Sequence, residues 1–153
     1  MNILYFGYGS NMPKAVIEER VGPCERVGVA YITGYTLRFH KRSTIDHTGK
    51  CDAYRTGEPA DIVWGSVDRL SDDQIAAMDE VEGPGYRRVT VEAEMGEQIV
   101  EVHIYLARPE AVDPDLSPID SYKECVLSGA RELDLPTAYV AAIEAVPSMP
   151  DPD

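Results

Sequence analysis

Long apolar runs are missing from this sequence of 153 residues. Nothing in it approaches the roughly 20 consecutive apolar residues that a membrane-spanning helix requires. Positive charge is scarce as well. Lys and Arg number 14 against 27 Asp and Glu, a formal net charge of −13, and such a chain repels the phosphate backbones and anionic lipids that basic residues would otherwise neutralise. Nucleic acid and membrane are therefore excluded as partners. Cysteine is limited to Cys24, Cys51 and Cys125, odd in number, scattered, and without a C-x-x-C pair. That is a pattern of reduced thiols, and it argues against a disulfide framework or a zinc knuckle. The histidines, His40, His47 and His103, lie in separate segments, so no metal site is expected. The opening "MNILYFGYG" has no basic residue ahead of its apolar run and carries glycines inside it, which reads as a core strand and not a secretory signal. The expected compartment is the cytoplasm.

What is present is enough for one domain. At this length a chain buries roughly two thirds of the surface that its unfolded form exposes, and 44% hydrophobic with 27% charged residues is an ordinary globular composition. Residues 2 to 9 form a nearly unbroken apolar strand, followed by a tight turn and a short helix with a capping candidate at Ser10 or Asn11 and an early Pro13. The β-rich text from Val27 to His40 is broken at Gly34, giving two strands or one bent strand. Residues 41 to 60 are polar and read as loop, with a short strand near Ala53 to Thr56. A strand over 61 to 70 precedes a helix opened by a capping box, Ser71 with Gln74, and stopped by "GPG" at 83 to 85. Two alternating runs joined at Gly96-Glu97 predict an antiparallel hairpin. Ser117-Pro118 opens the longest helix, with Ile119, Tyr122, Val126, Ala130 and Leu133 on one stripe, and Pro136 opens a last short helix. The order predicts a single α+β domain over 1–147, a small mixed sheet or barrel flanked by helices, with residues 148–153 as a frayed tail. Nothing in the pattern specifies an oligomeric state.

Two stretches carry chemistry. The turn "GYGSN" lacks the third glycine of a dinucleotide fingerprint and the Gly-Lys-Ser/Thr ending of a phosphate loop. Two readings remain: a structural turn in which glycine supplies a positive φ, or an anion site built from unpaired N–H groups at a helix start. In "MDEVEG", with Ile75 at the centre of the helix's apolar face, Glu82 lies only about 20° away, Asp79 about 40°, and Glu80 well off the face. Glu82 is either a carboxylate that reaches solvent at the helix end or a buried one. If buried, desolvation and the negative end of the helix dipole both raise its pKa toward a range useful for proton transfer. No G-x-S-x-G elbow surrounds Ser10, and no cysteine has the context of a nucleophile.

The segments "YFGYGSN", "MDEVEGPGY" and "SYKECVLSGARELDLPTAYVAAI" together resemble the γ-glutamylcyclotransferase superfamily, in its AIG2-like branch, in the family's order and across nearly the whole chain. The resemblance implies a mixed β-barrel with packed helices and no cofactor. It also implies a small-molecule substrate, a γ-glutamyl amide, which is cleaved when its own α-amine attacks the γ-carbonyl to release 5-oxoproline and an amino acid or amine. Glu82 matches the family's catalytic glutamate; Tyr8, Gly9, Ser10 and Asn11 match the substrate-binding turn, and Tyr86 and Tyr122 match tyrosines that line the pocket. Gly7 stands where the family often has alanine, and Asn11 separates the chain from the glutathione-specific branch. A binding protein that keeps the fold and pocket without turnover is the alternative class; the retained Glu82 favours the enzyme, because a sensor needs no base there.

Overall fold

The computed structural model describes residues 2–152. The N-terminal apolar run becomes strand β1 (Ile3–Gly7), with Tyr5, Phe6 and Gly7 buried. A turn closed by the Met12 N–H donating to the Gly9 carbonyl at 3.1 Å leads on to helix α1 (Lys14–Val21). Strands β2 (Glu25–Thr33) and β3 (Tyr35–Arg42) are separate, broken at Gly34, whose φ of 85° is a conformation that other residues resist. Next come β4 (Gly49–Arg55), β5 (Ile62–Leu70) and helix α2 (Asp72–Glu82). The hairpin β6 (Tyr86–Met95) and β7 (Gln98–Ala107) turns at Gly96, φ 63°. Helices α3 (Asp120–Glu132) and α4 (Thr137–Glu144) complete the chain.

Five strands close into a barrel in the order β1-β5-β2-β6-β7, and β3 and β4 form a second sheet of two strands. The barrel neighbours are antiparallel except at the seam, where β1 meets β7 in parallel, Tyr5 opposite His103. This is the mixed barrel of an α+β fold that the order of elements predicts. Phe6, Ile32, Val63, Val67, Val102 and Ile104 are fully buried or nearly so and share one apolar cluster with Val126 and Ala130 of α3. A second cluster of Tyr5, Ile17, Leu70, Ile75, Met78 and Tyr105 fastens α1 and α2 to the barrel wall. No helix among the described residues is long and apolar enough to cross a membrane.

Four local expectations change. Neither Ser10 nor Asn11 caps α1: Pro13 occupies the cap position, and the free Lys14 N–H donates instead to Glu132 Oε2 of α3 at 3.0 Å. The polar stretch after residue 41 stays loop for the most part but holds a longer and earlier strand than expected: β4 spans seven residues and pairs with β3 across a bulge between Arg38 and Lys41. Its strand pattern is hidden by polar residues that are buried, Lys41 and Asp52 among them. Helix α3 starts at Asp120 and not at Ser117, since Ile119 bridges Met149. The same bridge ties down the tail expected to fray: Asp120 N–H donates to the Met149 carbonyl at 2.8 Å, and Met149 N–H to the Pro118 carbonyl at 3.0 Å.

Helix α3 touches the turn after β1 at Gly129. A Cβ there would lie 2.4 Å from Met12 Cβ and 2.8 Å from Pro13 Cδ. Alanine is about 1 kcal/mol better than glycine in a helix, but overpacking of a rigid contact costs about 1–3 kcal/mol and occasionally more, so the clash wins. Gly129→Ala should lower the midpoint of urea unfolding, whereas Ser128→Ala on the exposed side should leave it close to the parent value.

Candidate active site

Helix α2 delivers a carboxylate to the turn after β1. Its start is fixed by the capping box: Ser71 Oγ accepts from the Gln74 N–H at 3.2 Å, and Gln74 Oε1 accepts from the Ser71 N–H at 3.0 Å. Ile75 and Met78 then face the second cluster, and the last helical residue, Glu82, points the same way. Gly83, φ 78°, ends the helix beyond it. Asn11 Nδ2 donates to Glu82 Oε1 at 3.0 Å and to the Tyr5 hydroxyl at 2.8 Å. The Arg20 guanidinium donates to Asn11 Oδ1, and to Ser10 Oγ at 3.1 Å, which fixes the amide's orientation. Glu82 Oε2 has no hydrogen-bond partner among the described residues.

Burial raises the pKa of Glu82 above the usual glutamate value, and the positive charges of Arg20 and Lys41 with the Asn11 hydrogen bond only partly offset it. Asp79 is the opposite case. Burial raises its pKa too, but hydrogen bonds from Arg88 and Tyr105 outweigh it and hold the group below the ordinary aspartate value. Glu80 is exposed. Of the three acids in "MDEVEG", Glu82 alone combines a recessed position, a free oxygen and an upward shift.

Within the turn, the backbone N–H groups of Gly9, Ser10 and Asn11 meet no acceptor among the described residues. Gly9 does not adopt a positive φ, so the conformational reason for glycine fails. The reason is space: a Cβ on Gly9 would lie 3.0 Å from Cys51 Cβ, 3.3 Å from its Sγ and 3.5 Å from the Tyr122 hydroxyl. Three tyrosines complete the wall. Tyr8 donates to the Tyr105 carbonyl at 2.6 Å and Tyr86 to the Cys51 carbonyl at 2.6 Å, while the Tyr122 hydroxyl accepts from the Cys51 N–H at 3.0 Å. Burial raises the pKa of all three phenols, which keeps them neutral.

All seven residues singled out in the sequence, Glu82, Tyr8, Gly9, Ser10, Asn11, Tyr86 and Tyr122, line one recess of about 30 Å³. That volume holds little more than one water. The recess continues into an outer cavity of about 260 Å³ that shares Ser10, Glu82, Tyr86 and Tyr122 with it. A wider groove of about 670 Å³ beside Phe39, His40 and Leu116 shares none of these residues, so volume alone does not mark the site. Sequence reasoning missed Tyr5, Cys51 and Tyr105 in the recess and Arg20, Lys41 and Lys50 in the outer cavity. Only Tyr5 had a local signal, its place on the buried strand. Burial pushes the Cys51 thiol up to about 12, so it stays protonated and is a poor nucleophile.

Comparison with known proteins places the chain and its fold in a family. The family model described as "Gamma-glutamyl cyclotransferase, AIG2-like" matches residues 5–124. A γ-glutamylcyclotransferase of Bos taurus is 29% identical over 154 residues, covering 95% of this chain and 79% of the relative. Its Mus musculus counterpart is 30% identical over 152 residues, covering 94% and 78%. A solved γ-glutamyl cyclotransferase structure, 26% identical, superposes with a TM-score of 0.87 over 97% of this chain and 89% of that one. A yeast γ-glutamyl cyclotransferase specific to glutathione, 13% identical, shares the fold with a TM-score of 0.70 over 93% of each chain.

The electrostatics are directly measurable. In a carbon-13 NMR titration of the side-chain carboxyls, Glu82 should titrate above the ordinary glutamate range of about 4.3 and Asp79 below the ordinary aspartate value of about 3.9. Because the Asn11 hydrogen bond favours the ionised form, Asn11→Ala should move Glu82 further up. A Glu82 that titrates at or below the ordinary value would contradict this account.

Proposed function

Because the chain belongs to the AIG2-like γ-glutamyl cyclotransferase family, we propose that it cleaves a γ-glutamyl amide into 5-oxoproline and a free amino acid or amine. The observation that carries the reading is Glu82, a recessed carboxylate with one oxygen held by Asn11, the other unpartnered, and a raised pKa, beside three unpartnered backbone N–H groups. In the proposed reaction the turn at Gly9, Ser10 and Asn11 holds the polar end of the glutamyl group. Glu82 Oε2 takes a proton from the α-ammonium, and the freed amine attacks the γ-carbonyl carbon. The new C–N bond closes the five-membered lactam. Glu82 returns a proton to the amide nitrogen as its bond to that carbon breaks; of the two protons left on the α-nitrogen, one is released to solvent and the other stays as the lactam N–H.

Positioning supplies the rest of the rate. Nucleophile and carbonyl belong to one molecule, so the protein has only to hold a bent conformer and exclude water, and oriented intramolecular attack is an intrinsically large advantage. Asn11 acts here as an orienting residue, since its amide is committed to Glu82, Tyr5 and Arg20. Tyr8, Tyr86 and Tyr122 serve as neutral walls whose hydroxyls brace Tyr105 and Cys51.

The decisive measurement is release of 5-oxoproline from a panel of γ-glutamyl amides. Glu82→Gln keeps the shape but cannot shuttle a proton, so turnover should fall by at least about 100-fold, with Asp79→Asn retaining activity. Near-parent turnover by Glu82→Gln would remove Glu82 from the reaction; binding of the panel without any 5-oxoproline would favour the non-catalytic class. Below its pKa Glu82 is protonated and cannot accept a proton, so kcat/KM should fall as pH drops through a value above the ordinary glutamate range. Gly9→Val, whose side chain would meet Cys51 and the Tyr122 hydroxyl, should fold and lose substrate affinity; a folded variant with unchanged affinity would show that the recess is not the glutamyl site.

A further inference from the structure

Lys41 is 4% exposed, an unusual state for a lysine. Its ammonium has no hydrogen-bond acceptor among the described residues; it stands 4.6 Å from the centre of the Tyr86 ring. Room for it is made by Gly85, where a Cβ would lie 2.6 Å from Lys41 Cε and 3.0 Å from Nζ. Gly85 therefore does more than stop a helix. The other cations of the outer cavity are committed: Arg20 to Asn11 and Ser10, and Lys50 to Asp46 at 3.4 Å and to the face of Tyr122. With Asp46 and Glu82 as the only carboxylates lining it among the described residues, the cavity holds one more cation than anions, in a chain of net charge −13.

Glu82 lines both the recess and the outer cavity. In the reaction proposed above, on which this inference rests, the nitrogen that Glu82 protonates is the leaving nitrogen. The recess is too small for anything beyond part of the glutamyl group, so the rest of the leaving group extends into the outer cavity. Burial disfavours the ammonium of Lys41, and an anion placed beside it would restore that charge. We infer that Lys41 is a specificity-determining residue that accepts a carboxylate borne by the leaving amine, so that γ-glutamyl derivatives of amino acids or peptides are preferred over those of uncharged or cationic amines.

The test compares L-γ-glutamyl-L-alanine with L-γ-glutamyl-ethylamide, which differ by the carboxylate on the leaving amine. A charged hydrogen bond of this kind is worth about 10- to 100-fold, so the parent should favour the alanine derivative in kcat/KM by that factor. Lys41→Met should bring the ratio toward one, and Lys41→Arg should keep most of it. Because the readout is a ratio within each variant, any change in the Glu82 pKa cancels between the two substrates. A folded Lys41→Met with the parental ratio overturns the inference, as does an equal loss on both substrates, which would put the glutamyl carboxylate on Lys41. Should Lys41→Met fail to fold, Gly85→Ala displaces the ammonium and carries the same ratio test. If the parent makes no 5-oxoproline from either compound, the cyclotransferase reading fails by itself. Calorimetric affinities for the same pair then decide: a carboxylate-dependent affinity that Lys41→Met abolishes supports Lys41 as the partner of that carboxylate, and equal or absent binding overturns it.

Discussion

The hydrogen bond from Asn11 Nδ2 to Glu82 Oε1 joins the two parts of the chain on which the site depends. The turn after β1 and the end of α2 are far apart in sequence, and neither is a site without the other. The bond is also a compromise. It must hold the carboxylate in place without stabilising its charge so strongly that the raised pKa is lost, and the neutral amide does this where a cation in direct contact would not. Arg20 is kept one residue back: it donates to Asn11 Oδ1 and not to Glu82, so its charge offsets the burial of Glu82 only in part.

That bond is useful only if the turn is rigid. Arg26 supplies much of the rigidity: its guanidinium binds the fully buried Asp68 through two nitrogens, at 2.9 and 3.2 Å, donates to the Met12 carbonyl at 2.8 Å, and reaches Glu132 of α3 at 2.9 Å. One side chain thus links β2, β5, the turn and α3. Close backbone approaches reinforce it. Gly65 would place a Cβ 2.4 Å from the Gly7 carbonyl oxygen, and Gly129 sits directly against Met12 and Pro13.

The β3–β4 sheet forms the other wall. Asp52 accepts from the Ala107 N–H at 2.9 Å and binds His40 Nε2 at 2.7 Å, which fastens β4 to the end of β7. The Cys51 backbone is gripped by Tyr86 on its carbonyl and Tyr122 on its N–H. Lys41 enters the outer cavity from the same sheet, so this sheet carries the groups that would meet a leaving amine while the barrel carries those that meet the glutamyl end.

Local patterns determined what depends on neighbours in sequence. The period of two in the β6–β7 hairpin, the capping box at Ser71, the break at Gly34 and the position of Glu82 on the inner face of α2 all follow from the chain's own geometry. Seven of the ten residues around the recess were legible as well, through their resemblance to a family. The tertiary structure decided the rest. Strand β4 was only partly legible because its buried carboxylate, Asp52, is compensated by His40 and the Ala107 N–H, partners that sequence proximity does not reveal. Of the two readings open for Gly9, the positive φ fails for a similar reason: glycine is favoured there by Cys51 and Tyr122, which only the folded chain brings within 3.5 Å of where a Cβ would stand. A residue's conformational preference is written locally, whereas the space, charge and dielectric around it are set by segments that arrive from elsewhere.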